Sequence, residues 1–357
     1  MNPISLCGGL LVIGVLINLT TRDKFAVYYT FFPAFLAICL LMFDNKFGVD
    51  QSAYLRMFDQ INIDNWNEYG TNPGYALLNA IVKFFGGDYW TLLFIMNLFS
   101  MTVLTVTFNK YSPFIALSWL IYFSLHMGYN LGIVRQGMAL TFTIMSFKYI
   151  LSKERNKYLL CMLAAFFFHY SMVTFIPAYW IANRITVNRR KAFIIMAIAF
   201  PLVLVNLLDI IGLVASKAGL PQWQIELYLT EGGKYNERAG LSPGLIVRML
   251  LFFGFALSAD LNDRLQRVLF NLYFVYLLLY FPLSSISILS SRGLDYYKVF
   301  ECITVPLAVL NIKNIYWKMV YVCFVLAFFI YSIFNNYTVY VKETNLDSAL
   351  KSIMNSF

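Results

Sequence analysis

Long apolar stretches follow one another along almost the whole chain, and only short polar connectors separate them. Each stretch approaches the roughly 20 residues that a helix needs to cross the hydrocarbon core of a bilayer. The pattern predicts spans at residues 4–19, 26–43, 89–108, 113–127, 134–151, 158–181, 192–213, 244–259, 268–289, 299–311 and 317–334. A shorter apolar segment at 75–85 suits a half-span or an interfacial helix. We therefore expect residues 1–357 to form one all-α, polytopic integral membrane domain with about 10 to 12 transmembrane helices.

Composition supports this expectation. Hydrophobic residues make up 60% of the chain and charged residues only 13%, whereas soluble domains carry roughly 25% charged residues. The net charge of +9 does not indicate a nucleic-acid partner, because the basic residues collect in short connectors, as in the cytoplasmic loops of membrane proteins. The five cysteines lie inside apolar stretches without CxxC spacing, which indicates core packing rather than a metal site or disulfides.

The charges of the connectors predict an orientation. The long connector at 44–73 holds five acidic residues and two basic ones, whereas three other connectors are basic. The basic connectors are 152–157, 184–191 and 311–318. Because Lys and Arg are enriched in cytoplasmic loops, we expect the basic connectors in the cytoplasm and the acidic one outside. The segments then expected on the outer side are 44–75, which includes an amphipathic helix, 212–243 and the tail 336–357.

One predicted span conflicts with this orientation. Lys157 and Arg184 flank a single apolar stretch, yet both flanks are basic and are expected in the cytoplasm. Either a single helix crosses against the rule, or two short helices enter and leave on the same side. We favour a broken or re-entrant pair that turns near His169, Tyr170 and Ser171. Non-helical backbone at that depth requires a cavity lined by protein or water.

Three arginines stand near the outward ends of predicted spans, against the usual charge bias: Arg135, Arg248 and Arg292. A guanidinium offers a planar fork of donors that matches a phosphate or a carboxylate, so three of them at one depth could hold a diphosphate. Salt bridges or contacts with lipid head groups are the alternative. Glu301 could pair with Lys298 or with an arginine on another helix. The polar neighbours of the first and third arginines are Gln136, Asp295 and Tyr296.

Two residues are candidates for acid–base chemistry. His169 lies in the predicted break, and an ordinary histidine can transfer protons near neutral pH, although a lone histidine is more often structural. Asp50 and Tyr54 stand four residues apart, so a helix places them on one face. That helix could present Asp50 at the mouth of a cavity, or it could be an ordinary surface helix. The chain contains no Walker A, GxGxxG, HExxH or GxSxG motif, so nothing indicates ATP, nicotinamide or zinc chemistry.

At these residues the sequence resembles the EpsG/Wzy-like family of polysaccharide polymerases. The resemblance rests on an ordered set of short motifs that extends from about Gly48 to Pro306. The motifs are Gly48-Val49-Asp50 with Tyr54, Asn72-Pro73-Gly74-Tyr75, Val134-Arg135-Gln136-Gly137-Met138-Ala139, Phe168-His169-Tyr170-Ser171, and Arg292 with Tyr296.

The resemblance implies a polymerase of lipid-linked O-antigen or exopolysaccharide repeat units, acting at the periplasmic face of the bacterial inner membrane. The growing glycan would leave its undecaprenyl diphosphate carrier and join a new lipid-linked unit, without a metal or a cofactor. Implied partners are the undecaprenyl-diphosphate-linked oligosaccharide, membrane lipids, a chain-length regulator and a flippase, but no nucleic acid. The reaction needs a base for the acceptor hydroxyl and positive charge near the departing diphosphate.

These needs lead to a hypothesis for each candidate residue. Arg135 and Arg292, with Gln136, would bind the diphosphate, and Arg248 would support them. Asp50 or His169 would be the base, and the sequence leaves this choice open. Tyr54 and Tyr296 would contact sugar or lipid.

Two other functions compete with polymerisation. A flippase or transporter of the same glycan would carry cationic residues deep in both halves and show internal symmetry. A membrane O-acyltransferase would present an early histidine near the cytoplasm. The unusual charges gather on one predicted face, which favours chemistry there.

Overall fold

The computed structural model describes residues 3–21, 50–217, 219 and 239–354, and within them it contains helices and no strand. The helices are α1 Pro3–Thr21, α2 Gln51–Gln60, α3 Pro73–Phe84, α4 Tyr89–Tyr111, α5 Ile115–Leu131, α6 Val134–Ser152, α7 Arg155–Phe168, α8 Ala178–Arg184, α9 Arg189–Ala199, α10 Leu208–Lys217, α11 Pro243–Ser258, α12 Arg264–Leu283, α13 Asp295–Lys298, α14 Glu301–Asn311 and α15 Ile315–Met354. The all-α prediction is therefore confirmed for the described residues. The predicted span 26–43 and most of the predicted loop 212–243 lie outside them.

Three of the described helices are long and apolar enough to cross a membrane: Tyr89–Tyr111, Arg264–Leu283 and the Ile315–Asn335 part of α15. Shorter apolar segments accompany them at Gly8–Thr20, Pro243–Ser258 and Glu301–Asn311. Their outer faces carry exposed large apolar side chains, such as Val106 in α4 and Trp317 in α15, each more than half exposed. Such faces suit contact with lipid. The set of helices is that of a membrane protein.

Helix α5 lies at the centre of the bundle. All but two of its 17 residues are buried, and α1, α4, α6, α14 and α15 pack around it. A helix that is apolar on every side is expected in such a fully surrounded position. Polar groups inside are paired across helices: the side chains of Asn97 in α4 and Asn130 in α5 are hydrogen-bonded at 2.7 Å, and the Tyr122 hydroxyl donates to Asn130 at 2.8 Å.

The predicted span 158–181 is interrupted at His169. Helix α7 ends at Phe168, His169 is extended, and a 3₁₀ segment at Tyr170–Phe175 leads into α8. The chain then runs back along α7, because the Tyr158 hydroxyl donates to the carbonyl of Phe175 at 2.6 Å and the Tyr179 hydroxyl donates to that of Lys153 at 2.7 Å. We call residues 155–184 the broken-helix hairpin. Its two ends lie side by side, as the charges of its flanks predict.

One arginine connects the end of α6 to the last helix of the broken-helix hairpin. Arg264, the first residue of α12, donates from Nε to the carbonyl of Leu151 at 2.6 Å and from Nη2 to that of Ile150 at 3.2 Å. The same Nη2 donates to Oδ1 of Asn183 in α8 at 2.7 Å. Because the last carbonyls of a helix lack partners within it, this guanidinium satisfies the end of α6 while it holds α8.

The prediction of one continuous helix at 192–213 is wrong. Helix α9 ends at Ala199, a 3₁₀ segment covers Phe200–Val203, and α10 begins at Leu208. Pro201 is the cause, since proline has no N–H and its ring clashes with the preceding turn. Ser285 stabilises the interruption: its hydroxyl accepts from the Leu207 N–H at 3.0 Å and donates to the Val205 carbonyl at 3.2 Å.

Candidate functional site

Arg135, the second residue of α6, is held by the segment that connects α2 and α3. Its Nη1 donates to the Thr71 hydroxyl at 2.8 Å and to Oδ1 of Asn72 at 3.1 Å. Its Nε donates to the Tyr54 hydroxyl at 3.4 Å, and the guanidinium lies 5.5 Å from the centre of the Tyr54 ring. These hydrogen bonds use Nε and Nη1, which leaves Nη2 to donate to a ligand.

The Asn72-Pro73-Gly74-Tyr75 motif lies beside this arginine and packs against two neighbouring elements. Pro73 starts α3, where its missing N–H costs nothing. A Cβ on Gly74 would stand 3.0 Å from the carbonyl oxygen of Phe167, so the glycine lets α3 approach the end of α7 closely. Tyr75 is fully buried, and its ring packs edge to face against that of Tyr54 at 5.5 Å. The motif thus joins α2, α3 and the turn of the broken-helix hairpin.

Gln136 connects the start of α6 to the segment that carries Arg292. Its Nε2 donates to the backbone carbonyl of Arg292 at 2.8 Å, and the amide side chain is buried. Arg292 lies in a π-turn, Leu289–Gly293, a rare geometry that is frequent at functional sites. Its guanidinium is exposed and makes no hydrogen bond to the described part of the chain. It therefore remains available for an anion.

The turn of the broken-helix hairpin contacts the same segment through a short relay of hydrogen bonds. Nδ1 of His169 lies 2.7 Å from the Ser171 hydroxyl, which lies 2.9 Å from the hydroxyl of buried Tyr296. Thr174 donates to the carbonyl of Gly293 at 2.7 Å and fixes the π-turn from this side. The relay occupies Nδ1, so Nε2 of His169 can face a substrate.

These contacts bring most of the predicted site residues together. Arg135 and Arg292 both interact electrostatically with His169, and Asp50 interacts with Tyr54. We call this group the arginine–histidine cluster; its members are Asp50, Tyr54, Arg135, Gln136, His169, Arg292 and Tyr296. Sequence reasoning did not assign Thr71 or Thr174 to it, since hydroxyl groups that brace a site carry no motif of their own.

Arg248 has different surroundings from the other two arginines. Its Nε lies 3.6 Å from Oε1 of Glu301, and its Nη1 donates to the carbonyl of Gly244 at 2.8 Å. The Tyr273 hydroxyl donates to Oε1 of Glu301 at 3.0 Å. The pairing of Glu301 with an arginine on another helix is therefore confirmed, and this arginine already has an anionic partner. Its support of a diphosphate stays a prediction.

A buried polar layer lies behind the arginine–histidine cluster. Asp295 accepts a hydrogen bond from the Tyr129 hydroxyl and forms an ion pair with Lys298. Asp295 directly precedes Tyr296, so these contacts fix the position of the tyrosine that ends the relay. Among the described residues, no group of three or more His, Cys, Asp or Glu side chains is placed to hold a metal ion.

Gly137 controls how closely α5 approaches the start of α6. A Cβ at this position would stand 2.4 Å from the backbone carbonyl oxygen of Tyr129, so backbone atoms would have to move. We expect Gly137→Ala to destabilise the protein by roughly 1–3 kcal/mol, the usual cost of overpacking. The measurement is thermal unfolding in detergent. Gly9→Ala is the matched control, because nothing lies within 4 Å of its Cβ and alanine favours helix α1. Equal melting of the two variants would contradict the close approach.

Comparison with known proteins gives one match. A protein-family model described as the EpsG family matches residues 5–347, nearly the whole chain. No curated protein and no solved structure matches the chain.

Proposed function

The chain belongs to the EpsG family, and from this membership we propose that it polymerises a surface polysaccharide by glycosyl transfer between lipid-linked repeat units. The family supports a polymerase-like role in polysaccharide synthesis and a location in a membrane. The carrier we propose is undecaprenyl diphosphate, and the arginine–histidine cluster faces the periplasm from the inner membrane. This orientation follows the acidic charge of the connector that contains Asp50.

The observation that carries the proposal is that two arginines from distant segments both lie within electrostatic range of His169. Arg135 and Arg292 keep donors available for a ligand, and both act on His169. A diphosphate leaving group needs such cations, because negative charge develops on it as its bond to the sugar breaks. The bidentate fork of arginine matches a phosphate group better than the point charge of lysine does.

His169 is the base of the proposed reaction. The acceptor hydroxyl oxygen forms a bond to the anomeric carbon while the bond from that carbon to the diphosphate oxygen breaks. The hydroxyl proton passes to Nε2 of His169, and the electron pair of the broken bond leaves with the undecaprenyl diphosphate. For Nε2 to accept, Nδ1 must carry a proton, which it donates to the Ser171 hydroxyl at 2.7 Å; that hydroxyl in turn donates to Tyr296. In the structure Nδ1 also accepts from the Ser171 backbone N–H at 3.3 Å, so the proposed reaction requires this long contact to be given up in favour of the hydroxyl.

Asp50 is the other candidate for the base. It precedes α2 without capping it through its side chain, so its carboxylate is not occupied by that role. It lies one turn from Tyr54, whose hydroxyl is bound by Arg135. In the proposal, Asp50 and Tyr54 bind the sugar at the mouth of the site, and Tyr296 holds the histidine.

Deletion of the gene tests the proposed function. In a host that makes a laddered surface polysaccharide, the deletion should leave only single repeat units on the lipid core, because flipping continues while elongation stops. Gel electrophoresis of the polysaccharide measures this, and the wild-type gene on a plasmid should restore the ladder. Long chains that persist would refute polymerisation. Loss of even the single repeat unit would indicate transport of the glycan instead.

A further inference from the structure

A cavity of about 700 Å³ lies at the open end of the broken-helix hairpin, where its first arm begins and its second arm ends. Helix α7 separates it from His169 by about 20 Å, given a rise of 1.5 Å per residue over 14 residues. The cavity therefore lies apart from the arginine–histidine cluster. The lining residues that matter for its chemistry are Lys153, Arg155, Asn156, Lys157, Trp180 and Arg184.

The charge of the cavity is strongly positive. Four basic residues line it, and Glu154 is the one acidic residue among the lining residues. The carboxylate of Glu154 forms an ion pair with Lys157 and accepts from the Ser152 hydroxyl. The other three basic residues have no acidic partner among the lining residues: Lys153, Arg155 and Arg184.

The start of α7 adds backbone donors to these cations. Glu154 is the N-cap residue of α7, yet its side chain makes no capping hydrogen bond. The first N–H groups of a helix have no partner within the helix and carry partial positive charge. Arg155, Asn156 and Lys157 belong to this first turn and line the cavity. The Arg155 N–H donates to the carbonyl of Lys153 at 3.2 Å, so the amides available beside the cavity are those of Asn156 and Lys157. An uncapped helix start beside three cations suits the oxygens of a phosphate group.

The cavity is also continuous with an apolar surface. Asn156, Leu160, Leu163 and Phe167 are spaced by four, three and four residues, so they share one face of α7. The three apolar side chains are 67%, 51% and 44% exposed. Trp180, which lines the cavity, is a residue type enriched where membrane meets water. A phosphate bound in the cavity can therefore carry acyl chains that lie along this stripe.

We propose that this cavity binds the phosphate head group of an anionic membrane lipid, whose acyl chains pack on the Leu160–Leu163–Phe167 stripe. A free phosphate ion would satisfy the cations but would leave the stripe unused. In the orientation proposed above, the lipid belongs to the cytoplasmic leaflet.

Lipid binding to the purified full-length protein tests this proposal without any assay of polymerisation. Native mass spectrometry in detergent would titrate phosphatidylglycerol, with phosphatidylcholine of the same acyl chains as the neutral lipid. We expect the wild type to prefer phosphatidylglycerol. The double variant Arg155→Gln with Arg184→Gln should weaken its binding by about 25-fold, since each basic residue near an anionic lipid contributes roughly a factor of 5. Size-exclusion chromatography verifies that the variants are folded.

The matched control is Arg190→Gln with Lys191→Gln. It removes two exposed cations from the first turn of α9, and neither of them lines the cavity. Binding within about 2-fold of wild type in this control, together with the loss above, supports a built site. Equal loss in both double variants would reduce the effect to general surface charge and overturn the proposal. Displacement of the lipid by millimolar inorganic phosphate, without preference between the two lipids, would overturn the lipid assignment.

Discussion

Arg292→Glu is expected to lower polysaccharide chain growth by at least about 10²–10³-fold, the cost of removing one preorganised donor from a developing anion. The reversed charge adds repulsion of the diphosphate to that loss. The fold should persist, because the Arg292 guanidinium is exposed and the side chains of Gln136 and Thr174 hold the π-turn through its backbone carbonyls. The measurement is the polysaccharide ladder of a deletion host that expresses the variant, at a membrane level matched to wild type.

Two comparisons show whether charge at this position is the cause. Arg190→Glu reverses an exposed arginine in the first turn of α9 and should leave the ladder intact. Arg135→Gln and Arg292→Gln, singly and together, form a double-mutant cycle. If both side chains bind the same diphosphate, the double variant loses less than the product of the single losses. A normal ladder from Arg292→Glu would refute the proposal that this arginine binds the diphosphate.

His169→Gln is expected to lower the rate of chain growth by about 10²–10⁴-fold, the usual contribution of a general base. Glutamine keeps a side-chain hydrogen-bonding group near Ser171 but cannot accept the proton of the acceptor hydroxyl. The measurement is the same ladder, together with the incorporation of labelled repeat units by isolated membranes. Single repeat units on the lipid core should accumulate, because transport does not need this side chain.

The neighbouring residue provides the control for His169. Tyr170 is 51% exposed and its ring packs against that of Phe166 at 4.9 Å, so Tyr170→Phe changes only a hydroxyl on the same turn. It should retain the wild-type rate. Asp50→Asn decides between the two candidate bases. If Asp50→Asn stops elongation while His169→Gln elongates normally, the base is the aspartate and the relay is structural.

The break in the broken-helix hairpin could be predicted from the sequence because the basic residues on its two flanks independently indicate a side of the membrane. Lys157 and Arg184 each indicate the same side of the membrane, and a single helix cannot satisfy both. The apolar length of 192–213 predicts one helix, whereas Pro201 marks the interruption at Phe200–Leu207. Apolar stretches therefore predict most of the helices, whereas a residue such as proline locates an interruption within one.

The contacts inside the arginine–histidine cluster could not be predicted in the same way. Gln136 and Arg292 are 156 positions apart, and nothing in either motif indicates which backbone carbonyl the amide will reach. The three arginines likewise look equivalent as residues near span ends. Only the arrangement of α11 and α14 shows that Arg248 faces Glu301, whereas Arg292 faces no acid among the described residues. Partner choice over such distances depends on tertiary packing.

The guanidinium of Arg264 sets an order of events during biosynthesis. It binds Asn183, 81 positions earlier in the chain. The broken-helix hairpin is therefore synthesised well before Arg264. At about 5–20 residues per second, that interval lasts roughly 4–16 s. During this time the hairpin depends on contacts made earlier, chiefly the Tyr158 hydroxyl on the carbonyl of Phe175 and the Tyr179 hydroxyl on the carbonyl of Lys153, just before α7. The hairpin must therefore hold its fold through its own contacts until α12, which supplies Arg264, has been made.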